Sequence, residues 1–154
     1  MDKNHKLLFH GAKTRIEGKL DIHKSRTNND LGQGFYTGER YEQAISFISG
    51  FEKSSVYIFD FKEEGLKGKK YNVNQEWMMT IAYYRGVLEE YENHPIIKKL
   101  IEKSCDCDYI IAPIADNRMF QIINSFIMGE ITDEQCKHCL AATNLGYQYV
   151  FKSD

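Results

Sequence analysis

Leu7-Leu8-Phe9-His10-Gly11 is an apolar run of strand length stopped by a glycine, and its reading decides how the rest of the chain is organised. A run this short, closed by a breaker, suits a central β-strand better than a helix, and it leaves His10 at the strand end. Beyond it, Ala12 to Gln33 is polar and irregular. Ser25, Thr27, Asn28, Asn29, Asp30 and Gly32 gather there before Gly34-Phe35-Tyr36. This is the signature of a long loop that approaches a functional site and ends in a glycine-rich turn.

Working outward, Glu39 to Phe51 carries Tyr41, Ala44, Ile45, Phe47 and Ile48 at three- and four-residue spacings and is expected to form an amphipathic helix. Ser55 to Phe61 is β-branched and aromatic and reads as a strand, followed by a charged, glycine-containing connector over Glu63 to Lys70. Asn74 to Tyr91 has helical spacing with Asn74 as cap, and Pro95 to Lys103 gives a further helix. Cys107 to Pro113 reads as a strand, Arg118 to Met128 as a helix, Thr132 to Thr143 as a helix opened by the box Thr132-Asp133-Glu134-Gln135, and Gln148 to Phe151 as a last strand. The expected class is α+β: a single domain over residues 1–154, with a split β-sheet core and flanking helices.

The bulk numbers agree with one packed domain. The chain has 154 residues, 42% of them hydrophobic, and a formal net charge of −2, so it can bury a core and has no global cationic field to hold nucleic acid non-specifically. The start, Met1 to Lys6 and then only Leu7, Leu8 and Phe9, is too short for a signal-peptide core or a membrane span, so a cytoplasmic protein with no membrane partner is expected. The four cysteines fall as Cys105-Asp106-Cys107 and Cys136-Lys137-His138-Cys139. They are expected to be reduced. Four thiolates would suffice for a tetrahedral zinc. Cys136 and Cys139, however, lie at helical spacing on an apolar face, which favours buried thiols and no metal. A Cys139 nucleophile paired with His10 or His138 lacks an activating environment.

Leu8-Phe9-His10-Gly11, then Gly32-Gln33-Gly34-Phe35-Tyr36-Thr37, with Ala44 and Phe47 downstream, resemble the His-Gly strand and Gly-x-Gly-x-Tyr loop of diphtheria-toxin-like and poly-ADP-ribose-polymerase-like transferases. Asp108 to Phe120 and Leu145 to Lys152 resemble later blocks of a bacterial family of unknown function within that ADP-ribosyltransferase superfamily, often encoded in toxin–antitoxin-like pairs. The Gly-x-Gly lacks the strand-then-helix context and third spaced glycine of a Rossmann site.

The resemblance implies NAD as substrate. His10 would bond the adenosine-side ribose, the Gly11 backbone would approach the nicotinamide amide, and Tyr36 and Phe47 would sandwich the ring. Gly34 and Thr37 would line the same loop. Arg118 would offer a bidentate donor to the pyrophosphate, against the plainer reading of a surface arginine after a helix-capping Asp116. Arg15, His23, Arg26 and Asn28 in the long loop are weaker candidates. The superfamily places a glutamate at the start of a late strand, and the matching position here is Gln148, whose amide can bond a ribose hydroxyl but cannot serve as a general base. The expected function is therefore mono-ADP-ribosyl transfer to a macromolecular acceptor, protein or nucleic acid, in a toxin or phage-defence setting with an antitoxin partner, and Tyr36, Gln148 and His10 as the catalytic set. NAD hydrolysis, or a catalytically silent NAD-binding or protein-interaction domain, is the alternative.

Overall fold

The computed structural model describes residues 5–12, 30–48, 54–63, 65–141 and 145–152. Its elements run β1 (His5–Ala12), β2 (Phe35–Gly38), α1 (Tyr41–Ile48), β3 (Ser55–Lys62), β4 (Gly68–Lys70), α2 (Gln75–Tyr84), α3 (Pro95–Cys105), β5 (Tyr109–Pro113), α4 (Asn117–Ile127), α5 (Asp133–Ala141) and β6 (Tyr147–Phe151). Helices and a mixed sheet make this an α+β protein. The six strands lie in the order β3-β1-β2-β6-β5-β4. Two three-stranded halves meet at the antiparallel β2–β6 ladder, and the β4–β5 pair is parallel.

Alternation along the strands gives the sheet two different faces. Ile110, Ala112 and Val150 point to one face and join Trp77, Met78, Ile81, Ile97, Met119, Ile123 and Leu140 of the helices in the main core. Leu8, Phe61, Tyr109 and Tyr149 form a smaller aromatic cluster on the other face. The first is called the helix face and the second the tyrosine face below.

The helix starts follow local chemistry. The Asn74 carboxamide accepts from Trp77 N–H at 3.0 Å, and Asp116 accepts from Met119 N–H at 2.8 Å. Pro95 sits in the first turn of α3. Thr132 and Gln135 exchange side-chain bonds across the start of α5, a capping box.

Several boundaries differ from the sequence reading. The helix expected to run to Tyr91 ends at Tyr84, because Gly86 takes φ +92° and a left-handed residue cannot continue an α-helix; a 3-10 turn at Glu89–Tyr91 follows. Residues 35–38, expected as a loop, are a strand hydrogen-bonded on both sides. The charged connector contains edge strand β4, whose lysines suit a rim position. The first helix spans 41–48 rather than 39–51, and residues 49–51 and 142–143 of two expected helices lie outside the described residues. Among the described residues, no helix is long and apolar enough to cross a membrane.

Candidate functional site

The three motif blocks fall on three adjacent central strands. Gly38 pairs with Phe9 of β1 on one side and with Gln148 of β6 on the other, so Phe9, Gly38 and Gln148 share a face. Gly11 lies two residues from Phe9, and Tyr36 lies two from Gly38 opposite Val150. Gly11, Tyr36 and Gln148 therefore all face the helix side, where Tyr41 of α1 meets the Phe9 ring edge-on at 5.9 Å between centroids. Phe47 belongs to α1, but its side chain lies outside the described residues, as do Arg15, His23, Arg26 and Asn28.

The turn before β2 is fastened from several directions. The Tyr36 hydroxyl accepts from Leu31 N–H at 2.9 Å and donates to Gly32 O at 2.6 Å, so it is fully engaged within the turn, while the ring packs against the main core. Burial pushes the Tyr36 phenol far above its ordinary pKa, which keeps that hydroxyl protonated and donating. Lys152 donates to Leu31 O at 2.7 Å, and burial lowers its pKa. The two glycines have packing reasons. A Cβ at Gly34 would lie 2.7 Å from Val150 Cγ1 and 2.8 Å from Phe151 O. Gly32 has φ +85°, with the Tyr84 ring 2.9 Å from where its Cβ would stand.

His10 stands on the other face. Its ring stacks on Phe35 at 4.2 Å, and Nδ1 is 2.6 Å from Tyr36 O. A carbonyl only accepts, so Nδ1 carries the proton and Nε2 presents the lone pair. Burial holds the His10 pKa below its ordinary value, against the opposing pull of that carbonyl, which favours the neutral ring. The imidazole is thus separated by the sheet from the side chains of Tyr36 and Gln148. Thr37 is buried and donates to Tyr149 O at 2.9 Å, a bond that ties β2 to β6.

Gln148 is half-buried, and its amide reaches Pro113 O at 3.5 Å. Beside it, the Gln43 side chain of α1 lies over Gly38 and donates to Leu145 O at 2.7 Å. Gly38 has no Cβ because Gln43 fills that space. Glu39 reaches across the strand end to Tyr147, accepting its N–H at 3.0 Å.

Asp116 takes the helix-capping role and Arg118 is exposed on α4. The arginine held in a bonded cluster is the half-buried Arg85 instead, which the sequence reading missed. It holds Asp30 through two bonds, Nε to Oδ1 at 2.6 Å and Nη2 to Oδ2 at 3.1 Å, donates to Ala115 O at 2.9 Å, and lies 4.6 Å over the Phe120 ring. It thereby joins the turn before β2 to the end of α2 and the start of α4. Among the described residues, no group of three or more His, Cys, Asp or Glu side chains is arranged to hold a metal ion. Cys136 is buried with its thiol against Met78 Sδ at 3.2 Å, while Cys139 is exposed.

No curated protein and no solved structure shows a significant match to this chain. The sequence model of the family described as protein of unknown function (DUF3990) matches residues 7–154, and the chain belongs to that family.

Proposed function

We propose that this protein binds NAD on the helix face of β1, β2 and β6 and transfers its ADP-ribosyl group to a macromolecular acceptor. The observation that supports the reading is the placement of Gly11, Tyr36 and Gln148 on one face of three neighbouring strands, beside the helix that carries Phe47. Breaking the nicotinamide–ribose bond sends its electron pair to the nicotinamide and leaves positive charge on the sugar. The protein must therefore grip the ring, hold its amide and steady the ribose. In this reading the Gly11 backbone meets the amide, the Tyr36 ring and the Phe47 position flank the nicotinamide, and the Gln148 amide bonds a ribose hydroxyl. His10 acts through Tyr36 O, fixing β2 rather than touching the reacting atoms. Gly34 and Thr37 set the path of β2, and Arg118 on α4 is left for the phosphates or the acceptor.

A neutral amide at Gln148 cannot deprotonate an acceptor, so the acceptor must bring its own base or be intrinsically nucleophilic. That favours a single transfer over polymer growth and keeps hydrolysis, with water as acceptor, as the second reading. A toxin role, with a partner protein that silences it, follows from the family resemblance. The test is incubation with NAD labelled on the adenylate side, with and without cell lysate. Label on macromolecules supports transfer, and free nicotinamide alone supports hydrolysis. Intact NAD in both arms removes both enzymatic readings and leaves a binding domain.

A further inference from the structure

We infer that the tyrosine face of the sheet carries a second small-molecule site, for a nucleoside phosphate. It uses none of the residues assigned to NAD above and lies across the sheet from them, so it stands or falls separately.

A groove of about 520 Å³ opens there, lined by Lys6, Glu39, Glu63, Lys70, Tyr147 and Tyr149 among others. That volume falls in the range of small-ligand sites, roughly 300–1,000 Å³. The strand pattern explains its floor. Tyr147 and Tyr149 alternate with Gln148 and Val150, so both rings leave β6 on the same side, flanked by Ile111 of β5. The ammonium groups stand over these rings: Lys6 is 5.6 Å from the Tyr149 centroid, and Lys70 is 5.6 Å from the Tyr147 centroid. Lys6 is steadied by Glu39 at 3.3 Å, and among the described residues Lys70 has no ion-pair partner. Burial tends to lower the Lys6 pKa, but Tyr149 and Glu39 together carry it above its ordinary value, so the ammonium stays charged.

Each group in this set has a use in holding a nucleotide. The partly exposed Tyr147 ring offers a face on which a base stacks regardless of its identity, while the buried Tyr149 ring forms the floor beneath it. Lysines serve as point charges for phosphate oxygens. The carboxylates of Glu39 and Glu63 accept hydrogen bonds from ribose hydroxyls or exocyclic amines. A simple anion would leave the Tyr147 ring and the carboxylates unused, and an apolar ligand would desolvate the Lys70 ammonium, which has no ion-pair partner among the described residues, with nothing to replace its water.

The test is calorimetric titration of the whole protein with ADP, repeated with pyrophosphate and in the variants Lys70→Glu, Tyr147→Ala and Gln148→Ala. The expected result is saturable ADP binding that Lys70→Glu and Tyr147→Ala each weaken about tenfold, the size of one charge-assisted or stacking contact, and that Gln148→Ala leaves unchanged. Circular dichroism confirms that each variant is folded before titration. Four outcomes contradict the inference: no ADP binding in the wild type, pyrophosphate binding as tightly as ADP, affinity unmoved in Lys70→Glu, or affinity lost only in Gln148→Ala, which moves the nucleotide to the helix face. If NAD is neither cleaved nor bound but ADP still responds to Lys70→Glu and Tyr147→Ala, the groove stands and only the NAD reading falls.

Discussion

The two halves of the sheet are stabilised very differently. Around β6, β5 and β4, helices α2 to α5 close over a core in which Trp77, Met78, Ile81, Ile110, Ile123 and Val150 are fully buried. Around β1 and β3, α1 is the helix that contributes among the described residues, and some apolar side chains stay open to solvent: Leu7 is 49% exposed, Tyr41 50% and Ile58 62%. The candidate site lies where these halves join, with Gly11 on the lightly packed side and Gln148 on the densely packed one. The chain therefore has a firm half that fixes Tyr36 and Gln148, and a looser half that brings Gly11 and α1 up to them.

The contrast is most easily broken in the core. Trp77→Ala is expected to cost about 3–5 kcal/mol, as large aromatic truncations do, while Ile58→Ala should stay within about 0.5 kcal/mol, as exposed substitutions do. Urea denaturation of both measures the difference, and equal losses would mean that the halves are packed alike. Arg85→Ala comes next, with an expected loss of about 2 kcal/mol, below the 3–5 typical of a fully buried pair, because both partners remain about a fifth exposed at 18% and 19%. The same change should loosen the turn at Asp30–Gly34, seen as faster amide exchange at Leu31.

Gly34→Ala sharpens the account of the junction. Its added methyl meets Val150 and the Phe151 carbonyl, for an expected cost of about 1–2 kcal/mol from overpacking against β6. The smallest effect is one of pH. His10 has a pKa depressed below 6.5, so the unfolded chain takes up a proton more readily than the folded one. Its contribution to stability is complete above 6.5 and is lost as the pH falls through the folded value. His10→Asn, which keeps a donor for Tyr36 O, is expected to flatten the loss of melting temperature between about pH 7 and 5. An unchanged slope would place the titration elsewhere.

How far the sequence foretold this depended on whether the signal was local. β1, β3, β5 and the helices α2, α3, α4 and α5 were legible because periodicity and caps such as Asn74 and Thr132 act within a few residues. β2 was not, since Phe35–Gly38 is too short for alternation to register and is a strand only because β1 and β6 flank it. β4 was hidden by its charge, which an edge strand tolerates. Of the site, the order of the blocks was readable. The division of faces was not, because it depends on the pairing of Gly38 with both Phe9 and Gln148. The Asp30–Arg85 clamp joins residues 55 apart in sequence and left no local mark. An arginine at a helix end beside a left-handed glycine, with an acidic residue in the functional loop, was the only available hint.

The central claim is tested most directly by thermal unfolding with NAD. At about 100 times its dissociation constant a ligand stabilises the folded state by roughly 2.7 kcal/mol. The account predicts a clear rise in melting temperature in the wild type, retained in Lys70→Glu on the tyrosine face and reduced in Gln148→Ala on the helix face. No rise in the wild type, or a rise that Lys70→Glu abolishes and Gln148→Ala leaves intact, would contradict it.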